Sequence, residues 1–137
     1  MKTREPKILE GISISEMSSE GKGIAKIDGK VYFVRGAVPE DVVDIRVKKS
    51  KSSYAEGEIH QLLSPSSLRI QPTCEHFGTC GGCKWQHIGY PTQLAYKTKI
   101  VEDAFNRIGK LDVKNINPIL GCDESFFYRN KLEFGFT

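Results

Sequence analysis

Residues 74 to 87 read CEHFGTCGGCKWQH. Cys74, Cys80 and Cys83 fall within ten positions, and His87 follows four residues after the last of them. The spacing is Cys-x5-Cys-x2-Cys-x3-His, and soft thiolates so placed can wrap one metal centre. Cys80-Gly81-Gly82-Cys83 can turn tightly enough to aim two sulfurs at one point, while the two glycines leave backbone N–H groups free to face them. Two chemistries satisfy the pattern. Zinc would take Cys74, Cys80, Cys83 and His87 as a complete tetrahedral set. An iron–sulfur cluster would take three thiolates from the loop and a fourth from Cys122 or from a residue beyond Thr137. Unliganded thiols are the third reading, and three cysteines around a Gly-Gly pair argue against it. A histidine beside a cysteine more often packs than ligates, so spacing alone leaves zinc and iron–sulfur level.

The whole chain sets the setting for those thiols. Its 137 residues are 39% hydrophobic and 27% charged, with a net charge of +3. That is the composition of a globular protein, long enough for one domain or one small domain and part of another. No apolar run approaches the roughly 20 residues that cross a bilayer. MKTREPKILEG at the N-terminus lacks the apolar core of a secretory signal. The expectation is a cytoplasmic monomer without a membrane partner. In that compartment thiols stay reduced, which favours metal over disulfides. The mild positive charge is compatible with an RNA partner.

The elements that must position the cysteines fall into two parts. Residues 1–65 read as about five short strands with no helical pattern. KILEGISIS opens the series, with Glu10, Ile12 and Ile14 on one face. GIAKIDGKVYFV sets Asp28-Gly29 between two apolar segments, a hairpin signal because a type I′ turn needs two residues of positive φ. VVDIRVKKS alternates Val43, Ile45 and Val47 with Asp44, Arg46 and Lys48. SYAEGEIHQLLS offers Ala55, Gly57 and Ile59 to one face, small residues suited to tight curvature. A small barrel of OB type hides the edges of so many strands most economically. PSSLRIQPT, residues 65–73, reads as a linker.

In residues 66–137 the cysteine loop precedes one helix, YPTQLAYKTKIVEDAFNRIGK. Pro91 stands at its start, Leu94, Val101, Phe105 and Ile108 share a face, and Gly109 stands at its end. FFYRNKLEFGFT then alternates Leu132, Phe134 and Phe136 with polar residues, an apolar strand that needs a neighbour. Thr137 is therefore expected to be a cut inside a further α+β domain.

These segments carry a resemblance. GKGIAKIDGKVYFVRGAVPEDVVDIRV resembles the TRAM domain, an RNA-binding barrel of OB type. CEHFGTCGGCKWQH, with YRNKLEF about forty residues on, resembles the bacterial RNA (uracil-C5)-methyltransferases, in particular the 23S rRNA enzymes that carry a TRAM domain ahead of the cysteine motif. The resemblance implies that Cys74, Cys80 and Cys83 bind a [4Fe–4S] cluster whose fourth cysteine lies downstream of YRNK; Cys122 precedes it and does not match. With that ligand missing, zinc on Cys74, Cys80, Cys83 and His87 is the alternative metal. The implied reaction transfers a methyl group from S-adenosylmethionine to C5 of a uracil, after a cysteine thiolate adds to C6 and before a base removes the C5 proton. No S-adenosylmethionine-binding or catalytic residues are present, so the fragment alone is expected to be inert. The rival function is a stand-alone RNA-binding adaptor with a zinc knuckle.

RNA contact is expected, ribosomal before transfer RNA, chiefly at Arg46, Lys48, Lys49 and Lys51, and by resemblance at Arg129 and Lys131. Lys22, Lys26, Lys30 and Arg35 are further basic positions on or beside strands. Tyr32, Phe33 and Tyr54 could stack bases, with Phe33 the best candidate for the core. Trp85 could cover a cluster, stack a base or pack.

Overall fold

The computed structural model describes residues 7–131. Its first part is a six-stranded sheet: β1 (Ile8–Ser13), β2 (Glu16–Met17), β3 (Gly23–Ile27), β4 (Lys30–Arg35), β5 (Val42–Ser50) and β6 (Tyr54–Ser64). The order across the sheet is β1-β5-β6-β4-β3-β2, with β4 and β6 parallel and every other pair antiparallel. The expected first strand is thus two strands. Its N-terminal part pairs with β5 and its C-terminal part with β3, so both ends of the sheet belong to one stretch of chain, bent at Ile14 and Ser15. Merging β1 and β2 gives the strand order 1-2-3-5-4-1 of a five-stranded Greek-key barrel that stays partly open. Only Gly23 and Ile24 of β3 are covered by β2.

Local sequence explains the turns and irregularities. Asp28 and Gly29 have φ of 49° and 77°, the two positive values of the expected tight hairpin, and Ile27 pairs with Lys30 across them. In β1, Gly11 adopts a φ of 64° where the register against β5 slips, and its N–H donates to Asp44 Oδ1 at 2.8 Å. That is a β-bulge with a left-handed residue, which bends the strand around the barrel.

Alternation decides what faces inward. Tyr32, Val34, Val43, Ile45 and Ala55 are buried in the barrel interior with Ile14, Ala25 and Ala37. The expected inward sets Val43–Ile45–Val47 and Ala55–Gly57–Ile59 hold. The aromatic assignment on β4 reverses: Tyr32 is in the core, whereas Phe33 lies on the outer face and meets Tyr54 edge-on at 6.1 Å. Aromatic type alone does not fix strand parity; the register against β3 and β6 does.

A second cluster, Met17, Val38 and Ile88 with Leu68, Trp85 and Tyr96, joins the barrel to the cysteine loop and the helix after it. The segment 65–73 is no free linker. Ser66 is buried, Arg69 pairs with Ile88 in an isolated bridge, and the Arg69 guanidinium grips buried Asp41. Helix α1 (Tyr90–Asp103) begins with Pro91 in its first turn and runs into a π-helical turn, Ala104–Ile108. Helical structure ends at Gly109, yet Gly109 keeps a right-handed φ of −72° and Lys110, at 51°, takes the left-handed position. The anticipated helix face is not buried among the described residues: Val101, Phe105 and Ile108 are exposed, and the helix meets the second cluster through Tyr96. The strand expected from Leu132 to Phe136 lies outside the described residues.

Candidate nucleic-acid interface and cysteine loop

The cysteine loop is held against the barrel by polar contacts at its edges. Arg35, on the outer face at the end of β4, donates from Nη2 to the Gly78 carbonyl at 2.7 Å. One residue later, the Gly36 carbonyl accepts from Arg69 Nη2 at 2.8 Å. The Cys74 N–H donates to Gln86 Oε1 at 3.2 Å, and Gln93 from α1 donates to the carbonyls of Trp85 and Ile88. Trp85 is half-buried and packed in the second cluster, beside Gly21, where an added Cβ would lie 2.8 Å from the indole nitrogen. Of the three roles open to it, packing is the one the structure shows.

Cys74 is half-buried, while Cys80 and Cys83 are exposed, and all are free thiols. The Gly82 N–H points at Cys80 Sγ at 3.4 Å, the backbone-to-sulfur contact that the paired glycines allow. Three free thiols in one loop form a donor set suited to a soft metal. Among the described residues, however, no three His, Cys, Asp or Glu side chains gather closely enough to hold an ion. Cys122 is held elsewhere, its N–H on the Tyr90 hydroxyl and its thiol on the Glu124 carbonyl.

His87 sits apart from the zinc set proposed for it. The imidazole is buried against Phe77, ring centroids 5.0 Å apart, and neither ring nitrogen has a hydrogen-bond partner among the described residues. Burial pushes its pKa down from the ordinary 6.5 to about 4, with the Arg69 charge adding to the effect and Asp41 opposing it. The folded imidazole is therefore neutral where an unfolded one would take a proton. This lowered pKa contributes stability that is complete above about pH 6.5 and is lost as pH falls toward 4. After discounting for solvent screening the loss is about 2 kcal/mol. Urea unfolding at pH 7 and pH 4.5 should show wild type losing about that much more stability than His87→Phe; parallel losses would refute the assignment.

The basic residues of β5 divide into two kinds. Arg46 and Lys48 both contact Glu58, at 3.5 and 2.9 Å, and Arg46 Nη2 also donates to His60 Nδ1 at 2.8 Å. The Lys48 hydrogen bond, then the charges of Lys48, Arg46 and Arg35, hold the Glu58 carboxyl below its usual range. Lys22 is likewise shared by Glu20 and Glu56 at 3.2 and 3.5 Å. Among the described residues Lys49 and Lys51 have no carboxylate partner, and Lys51 lies 5.2 Å over the Tyr54 ring. Lys51, Tyr54 and Phe33 thus form an outer-face edge of cation and aromatic surface, the combination that suits single-stranded RNA. Arg129 and Lys131 lie exposed in irregular chain, not in a strand. Sequence reasoning missed Asp41, Arg69 and Phe77, which carry no periodic or motif signal.

Comparison with known proteins gives a family match: residues 10–60 match the TRAM domain. An RNA methyltransferase of Bacteroides thetaiotaomicron, named as uncharacterised, is 50% identical over 121 residues, covering 88% of this chain and 27% of that protein. The 23S rRNA (uracil(1939)-C(5))-methyltransferase RlmD of Bordetella parapertussis is 39% identical over 126 residues, covering 91% of this chain and 27% of its own length. A solved structure, the Pyrococcus abyssi tRNA (uracil-54, C5)-methyltransferase in complex with S-adenosyl-L-homocysteine, aligns with 27% identity and a TM-score of 0.45 over 75% of this chain and 22% of that one. The chain spans about a quarter of the length of the relatives it matches.

Proposed function

We propose, for a chain that carries a TRAM domain at residues 10–60 and is homologous over about nine-tenths of its length to RNA methyltransferases, that it is the RNA-gripping part of an S-adenosylmethionine-dependent RNA (uracil-C5)-methyltransferase acting on 23S rRNA. The observation that carries this reading is the 39% identity to the RlmD protein, which includes the cysteine loop as well as the barrel span. Residues 1–65 act as the barrel, and residues 66–137 as cysteine loop, helix and the beginning of a central domain. Cys74, Cys80 and Cys83 hold a [4Fe–4S] cluster completed by a ligand from outside this chain; the Gly82 N–H facing Cys80 Sγ is the kind of backbone-to-sulfur contact that supports such a site. The cluster's part here is to order the loop. The barrel and loop bind and orient RNA, while methyl transfer belongs to the rest of the protein.

A full-length polypeptide containing this chain, given methyl-labelled S-adenosylmethionine, should label C5 of uracil in a 23S rRNA transcript and leave transfer RNA unlabelled. Labelling of transfer RNA alone would overturn the substrate assignment. Anaerobically purified full-length protein should contain iron and acid-labile sulfide; zinc alone would overturn the cluster. For RNA contact by the chain itself, Lys49→Ala/Lys51→Ala should flatten the plot of log affinity against log salt for single-stranded RNA by about 1.4, as two lost phosphate contacts require. An unchanged slope would remove those lysines from the interface.

A further inference from the structure

Between the barrel and the cysteine loop lies a cleft of about 410 Å³, within the size range of small-molecule sites. Its lining includes Gly36, Arg69, Ile70, Gln71, Phe77 and His87. Three of these side chains have hydrogen-bonding capacity that the described residues leave unused. Arg69 binds Asp41 and Gly36 through Nε and Nη2, which leaves Nη1 uncommitted. The Gln71 amide is exposed and makes no hydrogen bond to another described residue. His87 is nine-tenths buried, and neither of its nitrogens, one donor and one acceptor in the neutral ring, has a partner there. Those nitrogens are sealed from the surface, so the polar groups that the cleft offers to a ligand are Arg69 Nη1 and the Gln71 amide.

The apolar and charged surroundings narrow what that ligand is. Phe77 is half-buried with His87 near one side of its ring, and Ile70 adds an aliphatic wall. Arg69, itself in the lining, supplies the guanidinium. A flat ring with donors and acceptors along its rim, joined to a phosphate, meets all three demands at once: stacking, edge hydrogen bonds and an arginine. Single-stranded RNA offers such groups when its bases are splayed out of the stack.

We infer that this cleft receives one unstacked base of the bound RNA, with Phe77 as its stacking surface and Gln71 and Arg69 as its polar edge. The inference rests on the RNA-binding reading and adds a base pocket separate from the Lys51–Tyr54 edge. It makes the barrel–loop junction a reader of a base, where the lysines read only phosphate.

The test uses the anaerobically purified full-length polypeptide containing this chain, with a fluorescent single-stranded RNA decamer and an oligomer of equal length that lacks bases. Phe77→Ala should weaken decamer binding about 5- to 100-fold, the range of one lost base stack. Gln71→Ala, an exposed position whose change leaves the loop's contacts intact, should weaken it about fivefold. Both variants should bind the base-free oligomer as wild type does and keep the wild-type salt slope. If the decamer binds and both variants match wild type on it, the base pocket is wrong while the RNA reading stands. Equal losses on both oligomers would also overturn it, since the residues would then serve phosphate or loop structure. Absence of binding by the wild type to either oligomer would overturn the RNA reading and the pocket together.

Discussion

Asp41→Ala is expected to lower the unfolding free energy by about 3–5 kcal/mol, the cost of removing one partner from a buried ion pair. Asp41 is completely buried and accepts four hydrogen bonds: from Val38 N–H at 2.7 Å, Ser66 N–H at 2.9 Å, Arg69 Nε at 2.8 Å and Arg69 Nη2 at 2.6 Å. Its own backbone carbonyl accepts from Ile14 N–H at 2.9 Å, and the Glu40 N–H donates to the Ile14 carbonyl at 2.8 Å. The carboxylate therefore ties the turn after β4 to the segment that leads to the cysteines, while the backbone beside it holds the bend where β1 becomes β2. Alanine leaves the Ser66 and Val38 amides without acceptors and a guanidinium, mostly buried, without its counter-charge. Equilibrium urea unfolding would measure the loss. A drop of under 1 kcal/mol would mean that water replaces the carboxylate, and that Asp41 is not the keystone described. Pairing Asp41→Ala with Arg69→Met should recover part of the loss, because the orphaned charge is then gone.

Gly57→Val is expected to cost about 3 kcal/mol, at the upper end of what overpacking costs. Gly57 is buried in β6 between Val47 of β5 and Val34 of β4. A Cβ there would lie 2.7 Å from the Arg46 carbonyl oxygen and 2.7 Å from Ile45 Cγ2. The first obstacle is backbone and cannot rotate away, so β5 and β6 must separate there, beside the register shift between Val47 and Lys49. Gly57→Ala should show a smaller loss in the same direction. Thermal unfolding of both variants checks this, and a neutral valine would show that the strands part without cost.

How far the sequence foretold this molecule differs between its two halves. Period-two alternation located Val43, Ile45, Ala55 and Gly57 in the interior, and Asp28-Gly29 announced its own turn, because each signal is local. Parity on β4 was harder: Tyr32 and Phe33 are adjacent aromatics, and only the register against β3 and β6 decides which one faces inward. The division of the first strand was illegible too, since it depends on two different partners, β5 and β3, that lie far apart in the chain. Arg69 looked like a linker residue and Asp41 like one more surface acid; their meeting is a long-range event. The cysteine motif was visible as donor types and spacing. That Arg35 would hold the loop, instead of facing RNA as a free cation, needed the folded arrangement. Lys48 and Arg46 looked like open cations in sequence, and Glu58, one strand away, takes up both.

The stretch from Ile8 to Met17 closes two sheet margins with a single piece of backbone. A chain trimmed to start after Met17 would bare the outer row of amides and carbonyls on β5 and add Gly23 and Ile24 to the part of β3 that is already uncovered, two templates for strand addition by neighbouring copies. Such a molecule should self-associate into extended assemblies, since each copy would expose two sticky margins and could join neighbours on both sides. Along β5 this short stretch thus guards against polymerisation, whatever the chain binds.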